Sequence, residues 1–402
     1  MTTAERLTAV AENVQKVYEA GKAAGGLPDG DMTDPNYVYA VTRPKDWLPM
    51  PTPGDNEIYL LGQIPQGKKG YFSAAITFAG ACLVEFGTVK DGVFLPKESY
   101  SPSTGVGFTY VLDSANYEDE LADGYKQYMA RISGQTFYNI DFRFLPNTYG
   151  NVPQAEIVDI ACGAPCGQFS VGTYNAAKAT LQRLRYINFV GKGGPSWING
   201  DIFAGNCKSL LSIGCEKNLA SSWAGYALYL SDSLMAVSPK LFAGVVAGID
   251  YAFLNTRITG ININNIQPTS CNYSFQQSSL NKYTPETVDL SKSTSFNFTF
   301  NQCRALISVT GLDISSAKSM SGTFAVCESL NRLTFAGETT PGGFTISLTD
   351  TRLDHDALVE MIASLPTATA AATITITGNP GASELTDAEI AVATAKNWTI
   401  TR

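Results

Sequence analysis

Residues 300–335 read FNQCRALISVTGLDISSAKSMSGTFAVCESLNRLTF, and one phrase occurs in them twice. Phe300, Cys303, Leu306 and Val309 stand three residues apart, and Phe324, Cys327, Leu330 and Leu333 repeat the series 24 residues later. A period between about 20 and 30 residues is the mark of a solenoid, in which each coil buries its apolar edge only against its neighbours. The C-terminal half is therefore expected to be a stack, with function on its surface.

Followed outward, the leading apolar position falls at Tyr186, Leu210, Leu234, Ile258, Leu280, Leu306 and Leu330. A second apolar residue follows three positions later, at Phe189, Ile213, Val237, Ile261, Tyr283, Val309 and Leu333. The upstream Phe/Cys element is clear only in the last two coils. The first coil has Phe203-x3-Cys207, and the middle ones reduce it to Leu228/Ser231 or Tyr273/Gln277. Beyond Leu333 the pattern predicts strands at 344–348, 373–377 and 398–401, with helices at 354–364 and about 385–396. Thr386 and Glu389 have capping-box spacing. These elements would close the open end of the stack.

Upstream, residues 3 to about 22 read as a helix with Thr3 as N-cap. Leu7, Val10, Val14 and Val17 form a short coiled-coil seam suited to oligomerisation or docking. Gly21, Gly25, Gly26, Pro28 and Gly30 end it. From Tyr37 to about Val171 the pattern changes to short runs of period two, with Asp91-Gly92 as a hairpin signal. The expected fold class is mainly β with some α: an N-terminal helix and linker (1–30), an antiparallel β-sandwich (31–178), and a repeat solenoid (179–402). An α/β C-terminal cap would occupy about 340–402.

The chain carries a formal net charge of −8, which argues against a nucleic-acid or anionic-membrane partner. No run of about 18 apolar residues could span a bilayer, and the N-terminus lacks the apolar core of a secretion signal. Of the eight cysteines, Cys303 and Cys327 occupy repeat positions and read as small buried residues. Cys162-x3-Cys166 resembles half a metal clamp, but no second half follows, and a local disulfide there stays open. The one histidine, His355, falls at a predicted helix start. Asp289 and Asp313 sit in L-D-x-S turns, where aspartate usually bonds the local backbone. No catalytic constellation, metal site or cofactor motif emerges, and the chain reads as a non-enzyme.

The surface is more informative. If the leading pairs lie on strands, alternation turns offsets +2 and +4 outward. The ligand-binding candidates are then Ser238, Asn262, Lys282, Thr284, Ser308, Thr310, Arg332 and Thr334. Stacked at about 4.8 Å per coil, they would present a ladder of hydroxyls and amides with two cations. It would suit a glycan, or it would be an ordinary solvated sheet face. Trp197 and Trp223 are candidates for stacking on sugars, or for packing at the edge.

The phrase F-x2-C-x2-L-x2-L, with Met320 before Phe324 and Leu312-Asp-Ile-Ser315 between coils, resembles the BspA-like leucine-rich-repeat proteins over about 180–402. The closing segment from Leu385 through Trp398 looks like the end common to that family. The opening phrase Ala11–Lys22 is similar to the start of phage tail-associated proteins of gut Firmicutes. The resemblance implies a non-enzymatic phage tail-tip or receptor-binding protein, located in the virion, that recognises a host cell-surface glycan or protein through the solenoid. Further tail or baseplate proteins would be contacted through the N-terminal helix, in a homo-oligomer with a trimer favoured. A bacterial cell-surface adhesin of the BspA-like type is the main rival, and the missing signal and wall anchor weigh against it. A glycan-degrading tail enzyme and a purely structural virion protein complete the set of functions that the resemblance leaves open.

Overall fold

A computed structural model describes residues 31–143, 156–172, 181–198, 203–219, 222–223, 225–242, 248–263 and 266–402. The predicted helix at 3–22 lies outside them. The chain is mainly β, and its larger part is a β-solenoid of about nine turns.

The N-terminal part is built from β1 (Glu57–Pro65), β2 (Lys69–Lys90), β3 (Val93–Tyr100), β4 (Gly107–Asp113), β5 (Tyr125–Asp141) and β6 (Glu156–Cys162). The predicted runs 71–78 and 82–86 are both parts of β2, and 126–132 and 137–140 both belong to β5. β2 pairs with β3, β4 and β5, so two of its neighbours lie along different halves of its length. Phe72 and Phe86 lie 14 residues apart on this strand (86 − 72), yet their ring centroids are 5.3 Å apart. A straight strand would separate them by roughly 46 Å. The bend sits at Gly80, with φ +76°, beside a bulge between Ala79 and Cys82. Where two packed sheets were expected, the strands thus follow one hydrogen-bonded path that curls on itself. Asp91 and Gly92 both have positive φ, as a tight hairpin between β2 and β3 requires.

The same sheet runs into the solenoid. β6 pairs antiparallel with β1 on one side and parallel with Tyr186–Phe189 on the other. Ser212–Cys215 and Ala236–Val237 add further parallel rungs. One strand before residue 178 is therefore bonded to a strand after it, and one apolar core is continuous across that position.

Strand register corrects the first coil. Tyr186 is opposite Ser212, not Leu210. The partner of Leu210 in the repeat is thus Leu184, two residues earlier and also fully buried. Both a tyrosine and a leucine stand at alternate positions there, so the apolar pattern fits two registers. Tyr186 is buried on the opposite face, beneath a helix with no counterpart among the expected elements. This helix, α1 (Pro35–Thr42), begins with Asp34 as N-cap and Pro35 at its first position. Tyr39 and Trp47 pack edge-on against Tyr186, and Tyr39 Oη and Arg43 Nε donate to Asp159 at 3.0 and 2.9 Å.

Farther along, Lys282–Tyr283, Ser308–Asp313 and Arg332–Ala336 form a parallel three-stranded sheet. Tyr283, Val309 and Leu333 point inward and are buried. Gly311, with φ +66°, forms a bulge there, so that Leu312 rather than Gly311 lies opposite Phe335. The cap follows its expected pattern closely. It contains α2 (His355–Ser364) and α3 (Asp387–Thr394), and Thr386 and Glu389 make the capping box. Trp398 is buried, and its indole N–H donates to Pro366 O at 2.8 Å.

All eight cysteines are free thiols, and all but Cys215 are buried. Cys162 lies opposite Phe189 in the strand register and fills a core position. Burial pushes its thiol up to about 12, as it does those of Cys271 and Cys303.

Candidate functional site

The outward ladder expected from the sequence divides into unlike parts. Ser238 is buried, with 6% of its surface exposed, and its hydroxyl donates to Cys215 O in the coil before. The strand ends at Val237 and a 3-10 turn follows at Pro239–Phe242, so strand alternation no longer applies at 238. Asn262 is exposed but lies outside the strands. Lys282 is exposed on its strand, while Thr284 is past the strand's end and its N–H donates to Thr287 Oγ1. Ser308 and Thr310 are half-buried, and the Thr310 hydroxyl donates to Tyr283 O. Thr334 Oγ1 accepts the Gly311 N–H at 2.9 Å and so holds the bulge. Arg332 is exposed but clamped by both carboxylate oxygens of Glu360 on α2, at 3.0 and 2.6 Å. The two cations are thus separated by a coil, and one is paired. Trp197 stands 43% exposed on an early coil, on a strand paired with that of Trp223.

A second surface is more regular. Tyr226, Tyr251, Tyr273 and Phe298 stack in one row along the solenoid axis. Their centroids are 4.4, 4.5 and 4.9 Å apart, and their planes agree within 10°, 8° and 13°. All four are half-buried, and all four have positive φ, between 56° and 66°. That conformation costs an L-residue about 1–2 kcal/mol, and bulky residues there are true outliers. Gly322 takes the equivalent place in the next coil, with φ +63°. The backbone would accept glycine throughout, yet four coils carry a ring. Each stack returns about 0.5–1.5 kcal/mol, close to the strain it accompanies.

Beside the rings runs a polar row. Asp250 Oδ1 accepts from Ser270 Oγ and from the Asn272 N–H. Asn272 Oδ1 accepts from Ser295 Oγ and the Asn297 N–H, and its Nδ2 donates back to Ser270. Asn297 repeats this with Ser319, Ser321 and Ser295. Rings and amides together line an open cleft of about 560 Å³. Burial raises the Tyr251 hydroxyl to about 12, helped by the tyrosines on either side.

No protein-family model matches this chain, and no curated protein matches it in sequence.

A signal for the cleft is present in the sequence. Gly225-Tyr-Ala-Leu228, Asp250-Tyr-Ala-Phe253, Asn272-Tyr-Ser-Phe275, Asn297-Phe-Thr-Phe300 and Ser321-Gly-Thr-Phe324 are one phrase in five coils. The repeat pattern assigned Tyr273 and Gln277 to the interior, but Phe275 and Ser278 are the buried residues. Phe253, Phe275, Phe300 and Phe324 form an interior stack at 5.3, 5.8 and 5.7 Å. The middle coils are one residue short between this aromatic and the next leading apolar residue (258 − 253 and 280 − 275, against 306 − 300). Counting back from Leu280 at a constant distance therefore misses the interior ring.

The remaining polar candidates resolve into local structure. Asp289 and Asp313 accept from the backbone N–H of Ser291 and Ser315. His355 bridges the cap helices, with Nδ1 on Asp356 and Nε2 on Glu389. Among the described residues, no three His, Cys, Asp or Glu side chains gather as metal ligands, and no helix is long and apolar enough to cross a membrane.

Proposed function

We propose that this protein recognises a cell surface through its solenoid, as a non-enzymatic receptor-binding component of a phage tail. The observation that carries the recognition reading is the row of four strained, half-exposed rings beside an amide row. Strained side chains kept where glycine would serve point to a surface selected for contact rather than for stability alone. A rigid stack also holds its side chains at constant spacing, which lowers the ordering cost of binding an extended partner. The likeness of the closing segment to BspA-like proteins, and of the opening phrase to tail-associated proteins, supports placing that recognition in a virion.

The test uses the whole protein, labelled and applied to a panel of gut Firmicutes. One variant, Tyr251→Gly/Tyr273→Gly, removes the central rings; a second, Lys282→Ala/Ser308→Ala, alters the sheet face. Binding to at least one strain, lost in either variant, is the expected result. Binding to none, or binding unchanged in both variants, would overturn it. Antibody labelling of intact phage particles tests the location: a label on the tail tip is expected, and a label on bacterial envelopes alone would shift the reading to an adhesin.

A further inference from the structure

We propose that the cleft along Tyr226, Tyr251, Tyr273 and Phe298 binds a neutral, unbranched glycan lying parallel to the solenoid axis. This rests on the reading of the solenoid as the recognition element and names the class of ligand.

The orientation of the rings decides the class. Because the planes are stacked along the axis at 4.4–4.9 Å, neighbours occupy each other's faces. Phe298 is closed on its far side by the next coil: a Cβ built on Gly322 would lie 2.6 Å from its ring. The exposed parts are therefore ring edges, together with the hydroxyls of the tyrosines. Aromatic edges carry the positive part of the ring quadrupole and the faces the negative part. A cation seeks faces, and those between neighbouring rings and on the far side of Phe298 are covered. Oxygen-rich groups match edges and phenols.

Charge narrows the choice further. Among the described residues, the cleft lining holds one carboxylate, Asp250, and no Lys or Arg. The whole chain is also negative, so a polyanion would meet repulsion without a paired cation. Asp250 Oδ1 already accepts two hydrogen bonds, and an ionised carboxylate only accepts, with capacity for more than two donors. That suits a hydroxyl donor. Repeat length separates glycan from peptide. A peptide strand advances about 3.3 Å per residue with side chains alternating, out of step with a site that repeats every coil. A sugar chain places about one ring beside each coil, and every ring, on either edge, carries hydroxyls that can meet that coil's aromatic edge, amide and serine.

The test measures binding of the whole protein by calorimetry to unbranched hexasaccharides of glucose, mannose or N-acetylglucosamine, with hexagalacturonate as the anionic counterpart. Saturable binding of at least one neutral hexasaccharide is expected, weakened at least 10-fold in Tyr251→Gly/Tyr273→Gly. That variant copies the backbone solution of Gly322, and its far-UV circular dichroism checks that it folds. Tyr273→Phe, which keeps the stack and removes one hydroxyl, should lose a few-fold. No neutral binding, binding unchanged in the double variant, or equal binding of hexagalacturonate would overturn the proposal. The two readings fail separately. Cell binding without hexasaccharide binding removes the glycan and leaves recognition standing. Hexasaccharide binding at the cleft without cell binding removes recognition and leaves the site.

Discussion

Replacing Tyr273 by glycine or by alanine separates strain from stacking. Both variants lose the same two stacks, to Tyr251 at 4.5 Å and to Phe298 at 4.9 Å, each worth about 0.5–1.5 kcal/mol. They differ in the backbone, where φ is +57°. Alanine keeps the left-handed penalty of about 1–2 kcal/mol. Glycine escapes it but loses about 0.5–1 kcal/mol through its freer unfolded chain. Tyr273→Gly should therefore be the more stable of the two by about 0.5–1 kcal/mol, the reverse of the order in an ordinary helix or strand. Urea unfolding followed by circular dichroism reads the difference as a shift in midpoint at equal slope. Hydrogen exchange at the Tyr273 amide, which donates to Asn297 O at 2.9 Å, reads it locally. Equal stability, or alanine ahead, would refute the claim that these rings are held in a strained conformation.

Three further outcomes follow from the same structure. Gly322→Ala adds a Cβ 2.6 Å from the Phe298 ring at a φ of +63°, and should destabilise by about 2 kcal/mol or more, read as a lowered urea midpoint. Burial raises Asp159 from 3.8 to about 6 in spite of Arg43. The folded state thus holds its proton more tightly, so this group's stabilising contribution is complete below about pH 4 and is lost as pH rises through 6. Against Asp159→Asn/Arg43→Gln, the wild type should lose about 3 kcal/mol between those limits; parallel stability profiles would contradict this. Finally, burial raises the cysteine thiols, that of Cys215 included, so the native protein should react slowly with a thiol reagent and release all eight thiols only on unfolding. A fast thiol in the native protein would show that a core position opens.

The cap was legible because its signals are local: Thr386 and Glu389 lie within one turn, and Asp354 begins α2 as expected. The later coils were legible because Leu280, Leu306 and Leu330 keep their alternation through strands that pair at the same offset. The first coil was not, since Tyr186 and Phe189 keep the same three-residue spacing as Leu184 and Ile187, and a slip of two residues leaves Phe189 on the inward face. The cleft was missed for a related reason. One residue fewer in the middle coils moved Phe275 out of a fixed count, and Tyr273 stood close enough to take its place.

By itself, then, the sequence determined that the chain stacks, at what period, and how the stack ends, because each coil repeats the same local apolar spacing. Only the tertiary structure decided which faces stay open. α1 covers the early sheet face through Asp159 and Tyr186, 117 or more residues away in sequence (159 − 42). Glu360 neutralises Arg332 from the cap. The aromatic row becomes a surface only when four coils are brought to van der Waals spacing. Such choices depend on contacts between distant segments, and no local pattern carries them.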